Sequence, residues 1–473
     1  MPSKDLRNYI VKMEGGKELK RIKKEVDWNL ELIHVAKLNE EKGGPALLFE
    51  NVKGYDIPVL TSIFGTTRRF AYEFDFPPEA SMHGLTMKWV ELIGREKIAP
   101  KELKTGPILE NIIEGDKVDL FKFPAPKFYP GDGGRYIGTA YVLVTRDPET
   151  DWINLGTYRL QLLDKNHVGA QIMPGKHADL HIRSWGQKGK KMPAAAVIGG
   201  PPVLFAVGGT EAPHGVSEYD LAGAIMGSPI EVVRSNVTGL PLPANAEIIL
   251  EGEIDPNPAT YRIEGPFGEA TGYYSGQPTP KPVLEVKRVL HRHSPIFVAS
   301  TVGRPVTDTH ILLAIGRCGR LWRELKDMGI PGIKGVAMHP AMMRGFVISI
   351  KQMYPGHSKQ VLTAAASTPM GNYANKVFIV VDDDVSPDDW ERVVWSVIHR
   401  FNPEKSVEIL KGRRSTWLDP GIEPKLKYPW PITSTLLIDG CTPYHWEEKP
   451  QLIELDSELV QKIRKEWKEY GLE

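Results

Sequence analysis

An uncharged stretch of nineteen residues, Met192 to Thr210, constrains the fold more than any other part of the chain. It reads MPAAAVIGGPPVLFAVGGT, and an apolar helix of nearly this length could span a bilayer. Two glycines and two prolines at its centre, Gly199 to Pro202, interrupt it, and both residue types break helices and strands. We therefore predict two short buried strands joined by a turn, and no membrane-spanning segment.

Strand-like apolar runs separated by glycine and proline dominate residues 116–310. Turn signals such as PGDGG at Pro130 to Gly134 divide these runs, and one helical segment, Glu218 to Met226, lies among them. The pattern predicts a mainly antiparallel sheet or split barrel with loops available for a site. The predicted strands are Thr139–Val144, Pro202–Val207, Glu247–Leu250, Val283–Val289 and Ile296–Ser300.

The two ends of the chain alternate between helix and strand patterns, which is typical of α/β layers. The C-terminal part has a strand at Val377 to Val381. A helix is predicted to start after it, at Ser386-Pro387, because proline fits the first helical turn. The pattern of residues 457–470 predicts a terminal amphipathic helix, of the kind that packs on a neighbouring domain or subunit. The apolar stripe of the helix after Pro387 comprises Trp390, Val393, Val394, Val397, Ile398 and Phe401.

Charge and cysteine content narrow the class of protein. The 59 basic and 59 acidic side chains cancel, so no overall field draws the chain to nucleic acid or to an anionic membrane. Cys318 and Cys441 form no CxxC pair, so no zinc knuckle or redox dithiol is indicated. Few cysteines and a polar N-terminus without a signal-type apolar segment predict a cytoplasmic protein.

Common nucleotide-binding and hydrolase signatures are absent. The sequence contains no GxxxxGK(S/T), GxGxxG, HExxH or GxSxG pattern. Nucleotide hydrolysis, ordinary dinucleotide binding and elbow-type serine hydrolysis therefore lose the support that these motifs would give.

Two carboxylates flank a glycine-rich turn at Ile263 to Tyr273, which reads IEGPFGEATGY. The glycines permit tight turns and the close approach of a planar ligand. Glu264 and Glu269, held near each other in different surroundings, could divide the roles of acid and base. A turn with two solvated glutamates fits the same pattern.

A second set of polar side chains could bind a metal ion. Asn154 in DWINLGTYRL, His177 in PGKH and Glu218 in HGVSE offer nitrogen and oxygen donors that suit manganese or magnesium. No spacing rule groups these three residues into one metal site. The sequence around His177, taken alone, indicates a histidine at the surface or one that packs against its neighbours. Three consecutive acids, Asp382 to Asp384, are more typical of a solvated loop than of a metal site.

Several short motifs follow one another along the whole chain. They are DGG(x)Y, N(x4)R, GKH, VSE and EGPFGE(x2)GY, with GGPALLFENVKG at Gly43 to Gly54 and VDDDV at Val381 to Val385. In this order they resemble the UbiD family of prenyl-flavin decarboxylases. The resemblance implies an α/β (α+β) fold: an N-terminal α/β domain (1–115), a prenyl-flavin-binding split β-barrel (116–310) and a C-terminal α/β dimerisation domain with a terminal helix (311–473).

The resemblance also implies a role for individual residues. Arg159, Glu264 and Glu269 correspond to a catalytic Glu-Arg-Glu network in which Glu269 donates the proton. Asn154, His177 and Glu218 correspond to ligands of Mn²⁺ or Mg²⁺ bridging to the cofactor phosphate, and K⁺ is expected near Glu218, Leu155, Gly208 and Thr210. The cofactor-binding set for prenylated FMN is Asn154, Leu155, Gly156, Thr157, Arg159, Lys176, His177, Thr210 and Glu218.

One position departs from the family pattern. Members often carry a lysine near the C-terminus, in a context like SSKM(x2)DA, that reaches the flavin phosphate. The matching run here is TSTLLIDG, in which Thr435 takes the place of the lysine. A hydroxyl brings no charge, so Lys425 or Lys427 is a candidate substitute.

The implied reaction is the reversible, non-oxidative decarboxylation of an aromatic or α,β-unsaturated acid, or its carboxylation with CO₂. No side chain can accept the electrons left on carbon, so a cofactor must do so. Implied partners are a flavin prenyltransferase as cofactor source and further copies in a homodimer or hexamer. A non-catalytic or partner-dependent subunit of a carboxylase complex and an ordinary flavin oxidoreductase remain alternatives. Arg304 either meets a polar ring substituent of the substrate or forms a structural salt bridge.

Overall fold

Helices and five β-sheets share the part of the chain that the computed structural model describes, residues 2–210 and 212–472. The N-terminal helix buries Tyr9 and Met13 on its inner face and is capped by the Asp5 side chain, which accepts a hydrogen bond from the Asn8 amide. The elements up to residue 115 are α1 (Leu6–Gly15), β1 (Leu19–Ile22), α2 (Glu31–Glu40), β2 (Ala46–Phe49), β3 (Val59–Thr61), α3 (Thr67–Glu73), α4 (Met82–Ile93), β4 (Lys101–Leu103) and β5 (Asn111–Glu114).

The central region is built on one large sheet. Its elements are β6 (Tyr136–Gly138), β7 (Tyr141–Arg146), β8 (Ile153–Gly156), β9 (Leu160–Leu162), β10 (His167–Ala170), α5 (His177–Gln187), β11 (Met192–Ile198), α6 (Pro202–Gly208), α7 (Glu218–Met226), β12 (Glu231–Arg234), β13 (Pro241–Pro243), β14 (Ile248–Ile254), β15 (Arg262–Glu264), β16 (Thr279–Lys281), β17 (Val283–His291) and β18 (Phe297–Ala299). The sheet runs β6-β9-β10-β17-β14-β11-β7-β8, with β5 added on β17. Its strands pair antiparallel, as the sequence predicts.

The strand predicted at Pro202–Val207 is wrong, because this segment forms helix α6. Strand β11 takes only Met192–Ile198, and Gly199 then turns the chain with φ +68°. The adjacent prolines stand at the start of α6, where a missing amide proton costs no helical hydrogen bond. A short apolar run without polar alternation cannot distinguish a buried helix from a buried strand, and here packing decides: Phe205 stacks on Phe64 of the N-terminal region.

The C-terminal region is a five-stranded mixed sheet with helices, in the order β19-β20-β21-β23-β22. Its elements are α8 (Asp308–Asp327), β19 (Ile333–Ala337), β20 (Gly345–Ile350), α9 (His357–Ser367), β21 (Val377–Asp382), α10 (Trp390–Arg400), β22 (Val407–Arg414), β23 (Ile432–Asp439) and α11 (Ser457–Lys465). A short 3₁₀ turn, Trp467–Tyr470, follows α11.

Two details of the helical prediction in this region are wrong. The helix predicted to start at Ser386-Pro387 begins at Trp390, because Asp389 caps it by accepting a hydrogen bond from the Arg392 amide. Its predicted apolar stripe is only partly covered: Val393 is buried, whereas Val394 and Ile398 are exposed.

The mixed α/β architecture predicted from the sequence is confirmed. The N-terminal sheet, β1-β2-β3, gains its fourth strand from β18, so the chain returns to this layer after the central sheet. The boundaries at residues 115 and 310 stay predictions. A search of the helices in the described ranges, 2–210 and 212–472, finds none with the length and apolar character needed to span a bilayer.

Candidate active site

Arg159 joins two glutamates that lie far from it in sequence. Its guanidinium donates to both carboxylate oxygens of Glu264, with Nε–Oε1 and Nη2–Oε2 distances of 2.7 Å. The remaining nitrogen, Nη1, donates to Oε1 of Glu269. The Arg159 and Glu264 side chains are only 9% and 0% exposed and that of Glu269 is 15% exposed, so this charged group is largely removed from water.

The loop between the glutamates is held by the PGDGG turn. Gly268 donates its amide proton to Asp132 at 2.9 Å, and Gly133 donates to the Pro266 carbonyl at 2.8 Å. A Cβ atom at Gly133 would lie 2.1 Å from the Gly265 carbonyl oxygen, so only glycine permits this approach. Both motifs therefore act together to position Glu264 and Glu269.

Burial and neighbouring charges shift the pKa values of Glu269 and Arg159. Burial raises the pKa of Glu269, and the Arg159 charge offsets only part of that rise. Burial alone would lower the pKa of Arg159, but its two glutamates outweigh that effect and raise it. The raised pKa favours the protonated form of Glu269 beside a permanent cation, as a proton donor requires.

The second predicted group also comes together. Asn154 lies on β8, while His177 and Glu218 each occupy the first position of a helix, α5 and α7. His177 Nδ1 lies 3.0 Å from Asn154 Oδ1. Glu218 Oε2 accepts the amide proton of Leu155, the neighbour of Asn154, at 2.7 Å. Two helix N-termini and one strand therefore converge on a small polar space.

The donor set at this place fits a hard divalent cation. Glu218 is buried, and burial raises its pKa to about 8. No cationic side chain in residues 2–210 and 212–472 forms a salt bridge with it, and Asn154 Nδ2 is buried without a hydrogen-bond partner there. A bound cation would favour the ionised carboxylate, and oxygen and imidazole donors suit Mn²⁺ or Mg²⁺.

The other residues implied for the cofactor lie around this space. Leu155 and Gly156 continue β8, and Lys176 is the residue before α5. A Cβ atom at Gly208 would lie 3.4 Å from the Leu155 carbonyl oxygen and 3.6 Å from Thr157 Cγ2. Thr210 turns its hydroxyl away and donates it to the Val207 carbonyl at 2.7 Å.

Thr435, which takes the place of the family lysine, and Lys425, a candidate substitute, both have partners elsewhere in the structure. Thr435 is fully buried and donates to the Asn375 carbonyl at 2.9 Å. Lys425 is exposed and pairs with Glu423 of its own segment. Arg414 at the end of β22 comes closer, with Nη2 3.5 Å from a Cβ atom placed at Gly175. Sequence reasoning missed Arg414, because only tertiary folding brings it beside the PGKH motif.

Tyr373 links Arg414 to the same motif. The guanidinium of Arg414 lies 4.8 Å from the centre of the Tyr373 ring, and Lys176 Nζ lies 5.6 Å from it. Two cations, Lys176 of the central region and Arg414 of the C-terminal region, therefore lie near one aromatic ring.

The acids at Asp382 to Asp384 serve the local structure. Asp382 and Asp384 both accept hydrogen bonds from Arg400 of α10. No group of three His, Cys, Asp or Glu side chains with the arrangement of a metal site occurs among the described residues. Arg304 is exposed, packs against Gly272, and forms no ion pair with a described residue, so the alternative of a structural salt bridge is not seen.

Three family models match consecutive parts of the chain. They describe the N-terminal, Rift-related and C-terminal domains of 3-octaprenyl-4-hydroxybenzoate carboxy-lyase, UbiD, and match residues 10–89, 101–305 and 310–440.

Similar proteins extend the match to nearly the full length. An uncharacterised protein of Archaeoglobus fulgidus is 35% identical, with 99% of each chain covered. Vanillic acid decarboxylase of Sedimentibacter hydroxybenzoicus, in its closed form, is 30% identical over 99% of each chain, with a TM-score of 0.87. An evolved dimeric form of HmfF, a UbiD-class enzyme of Pelotomaculum thermopropionicum solved with prFMN, is 30% identical over 96% of this chain and 99% of that one, with a TM-score of 0.81. The chain therefore belongs to the UbiD family and is a carboxy-lyase.

Proposed function

We propose that this protein catalyses the reversible, non-oxidative decarboxylation of an aromatic or α,β-unsaturated acid with prenylated FMN as cofactor. The observation that carries the proposal is the buried Glu264–Arg159–Glu269 network beside a cleft. It supplies a fixed cation for a substrate carboxylate and an acid whose pKa burial raises. An ordinary flavin oxidoreductase has no need of either.

The polar space at Asn154, His177 and Glu218 is proposed to hold the cofactor phosphate through Mn²⁺ or Mg²⁺. Helix N-termini at His177 and Glu218 favour an anion there. K⁺ is proposed beside Glu218 and the Leu155 backbone. The HmfF relative was solved with prFMN, which supports this choice of cofactor. When bound, prenylated FMN supplies the electron sink that decarboxylation requires.

The side chains of the chain itself then orient the substrate and move the proton. Arg159 binds Glu264 through two parallel hydrogen bonds, and this bidentate pairing fixes its planar guanidinium in one orientation. A substrate carboxylate next to Arg159 would be held in line with Glu269. After loss of CO₂ the acceptor carbon needs a proton, and Glu269 is the group placed to give it. Carboxylation is the same sequence in reverse, with Glu269 as the base.

Cofactor loading tests the proposal directly. We expect protein produced together with a flavin prenyltransferase to retain a modified flavin chromophore, and to catalyse deuterium exchange at the product carbon from which CO₂ was lost. Protein produced without the prenyltransferase should lack both. Equal loading with unmodified FMN, together with hydride transfer from a nicotinamide, would establish an oxidoreductase instead.

Arg414 is proposed to replace the family lysine at the cofactor phosphate. It lies next to Gly175, two residues before the start of α5, whereas Thr435 is buried and bonded to the Asn375 carbonyl. Arg414→Gln should weaken flavin binding roughly 10-fold, since hydrogen bonds to charged groups contribute about 1.5–3 kcal/mol and this one is partly exposed. Flavin content and dissociation constants of apo-protein measure the effect.

Lys411→Gln, an exposed lysine of the same strand, is the matched control and should bind flavin normally. If Arg414→Gln retains unchanged flavin affinity at low ionic strength, Arg414 does not contact the phosphate.

Assembly and location are proposed from the same family membership. The HmfF relative was solved in a dimeric form, and a homodimer or hexamer is the proposed state. Helix α11 and the turn after it expose Leu459, Trp467 and Tyr470, as a helix that packs on another copy would. Cys318 and Cys441 are buried and unpaired, which suits the proposed cytoplasmic location.

A further inference from the structure

A cleft opens directly beside Glu269, between the central and C-terminal regions. It encloses about 690 Å³ when space open to solvent is included. Ala270 and Thr271 form the wall next to Glu269, and Met342, Met343 and Arg344 form the opposite wall. Methionine and alanine walls suit the faces of a flat unsaturated ligand.

Two cations line this cleft, and only one of them is neutralised. Lys376 Nζ lies 2.7 Å from Oδ1 of the buried Asp419. Asp419 also accepts hydrogen bonds from the Ser415 hydroxyl and the Gly421 amide. Its charge and its lone pairs are therefore used within the protein, and the Lys376–Asp419 pair offers little net charge to a ligand.

Arg344 has no such carboxylate. Its Nη1 donates to the Ala374 carbonyl at 3.2 Å, a neutral acceptor, and it forms no salt bridge with a residue in the described ranges. Burial and the nearby Arg317 lower the pKa of Arg344, and the charges of Asp419 and Glu269 offset only part of that lowering. A half-buried guanidinium with unused donors is costly unless a ligand anion pairs with it.

Glu269 lies close to both Arg159 and Arg344. Arg159 stands at the Glu269 end, with its charge shared by two glutamates. Arg344 stands on the other wall, near enough for its charge to lower the pKa of Glu269 slightly against the dominant effect of burial. A ligand with one carboxylate beside Arg159 and a second anion at the other wall would pair with the uncompensated charge of Arg344.

We propose that Arg344 binds a second carboxylate of the substrate, so that the enzyme acts on unsaturated or aromatic dicarboxylic acids. The planar guanidinium fork of arginine matches a carboxylate through two parallel hydrogen bonds. The inference rests on the proposed function, because the first carboxylate is the one that Arg159 orients for decarboxylation.

Binding of simple acids to the cofactor-loaded enzyme tests the inference. The probes are benzoate with one carboxylate, isophthalate and terephthalate with two, and 4-hydroxybenzoate with a hydroxyl in place of the second carboxylate. Calorimetry at fixed ionic strength measures each dissociation constant for the wild type, Arg344→Gln, Arg344→Lys and the exposed-lysine control Lys334→Gln.

We expect at least one dicarboxylate to bind the wild type roughly 10- to 100-fold more tightly than benzoate, as charge-assisted hydrogen bonds predict. Arg344→Gln should remove that preference, so that neither dicarboxylate binds more tightly than benzoate. Arg344→Lys should retain part of it, because it keeps the charge and loses the fork. Lys334→Gln should bind all four acids as the wild type does.

Several results would overturn the inference. These are equal binding of benzoate and both dicarboxylates to the wild type, an equal loss for all acids in Arg344→Gln, or a dicarboxylate preference that survives in Arg344→Gln and disappears in Arg304→Gln. An Arg344-dependent preference for 4-hydroxybenzoate alone would assign a hydroxy acid instead. If Arg344→Gln fails to fold, the wild-type comparison and Arg344→Lys decide.

Failure of the inference is distinguishable from failure of the proposed function. Deuterium exchange by the loaded wild type is measured with every probe and with a set of unsaturated monocarboxylic acids. Exchange confined to monocarboxylic acids retains the proposed function and removes only the dicarboxylate inference. Absence of exchange with all acids, together with no prenylated chromophore, removes the proposed function itself.

Discussion

Glu269→Gln is expected to lower the decarboxylation rate by roughly 100- to 10,000-fold, the range that removal of a positioned acid typically costs. Glutamine keeps the size of the side chain and a hydrogen-bond acceptor for Arg159, but it cannot deliver a proton. Burial raises the pKa of Glu269 and so favours its protonated carboxyl group. The glutamine amide has no acidic proton to take the place of that one. The measurement is turnover of the loaded enzyme, combined with deuterium exchange at the product carbon.

Flavin and metal content should stay normal in Glu269→Gln, because Glu269 makes no contact with Asn154, His177 or Glu218 among its described hydrogen bonds. Glu79→Gln, an exposed glutamate, is the control and should retain full activity. Arg159→Ala should also be inactive, but through loss of substrate orientation and of the charge that both glutamates share. Near-normal turnover and exchange in Glu269→Gln would remove Glu269 from the mechanism and leave Glu264 as the next candidate.

His177→Ala is expected to lower metal affinity by at least about 10- to 100-fold, the loss that removal of even a supporting hydrogen-bond partner of a metal ligand causes. Flavin retention should fall with it, because the metal is proposed to bridge the protein to the cofactor phosphate. The alanine cannot replace the imidazole nitrogen that lies 3.0 Å from Asn154 Oδ1. Elemental analysis and flavin absorbance of the purified protein report both quantities independently of activity.

His167→Ala is the matched histidine control, since His167 lies at the edge of β10 and pairs with Asp164. It should keep the metal and flavin content of the wild type. A His177→Ala protein that retains its metal and its flavin would show that His177 is a packing residue against Trp152, whose ring it meets at 4.7 Å between centres.

Most helices and strands were located from the local sequence. Burial of one face of a helix or strand repeats apolar residues at a regular interval, which can be seen in a short stretch of sequence. Glu218–Met226 has the bounds that the sequence predicts. The same reasoning failed at α6, where every position is apolar and no period distinguishes the two structures. It also failed at the start of α10, where Asp389 rather than Ser386 provides the cap.

The order of the motifs along the chain, rather than the spacing between them, identified the family and the residues of the candidate site. The sequence by itself determined the chemistry available: the guanidinium of Arg159, the two glutamates of one glycine-rich turn, and the donor types of Asn154, His177 and Glu218. Only the tertiary structure decided which of these groups meet, since Arg159 and Glu264 are 105 positions apart and strand pairing closes that distance. It also decided the roles open to Thr435, Arg414 and Arg344. Local sequence gives no sign that Thr435 is buried, that Arg344 lines the cleft or that Arg414 approaches Gly175, because each of these arises from contacts between residues far apart in the chain.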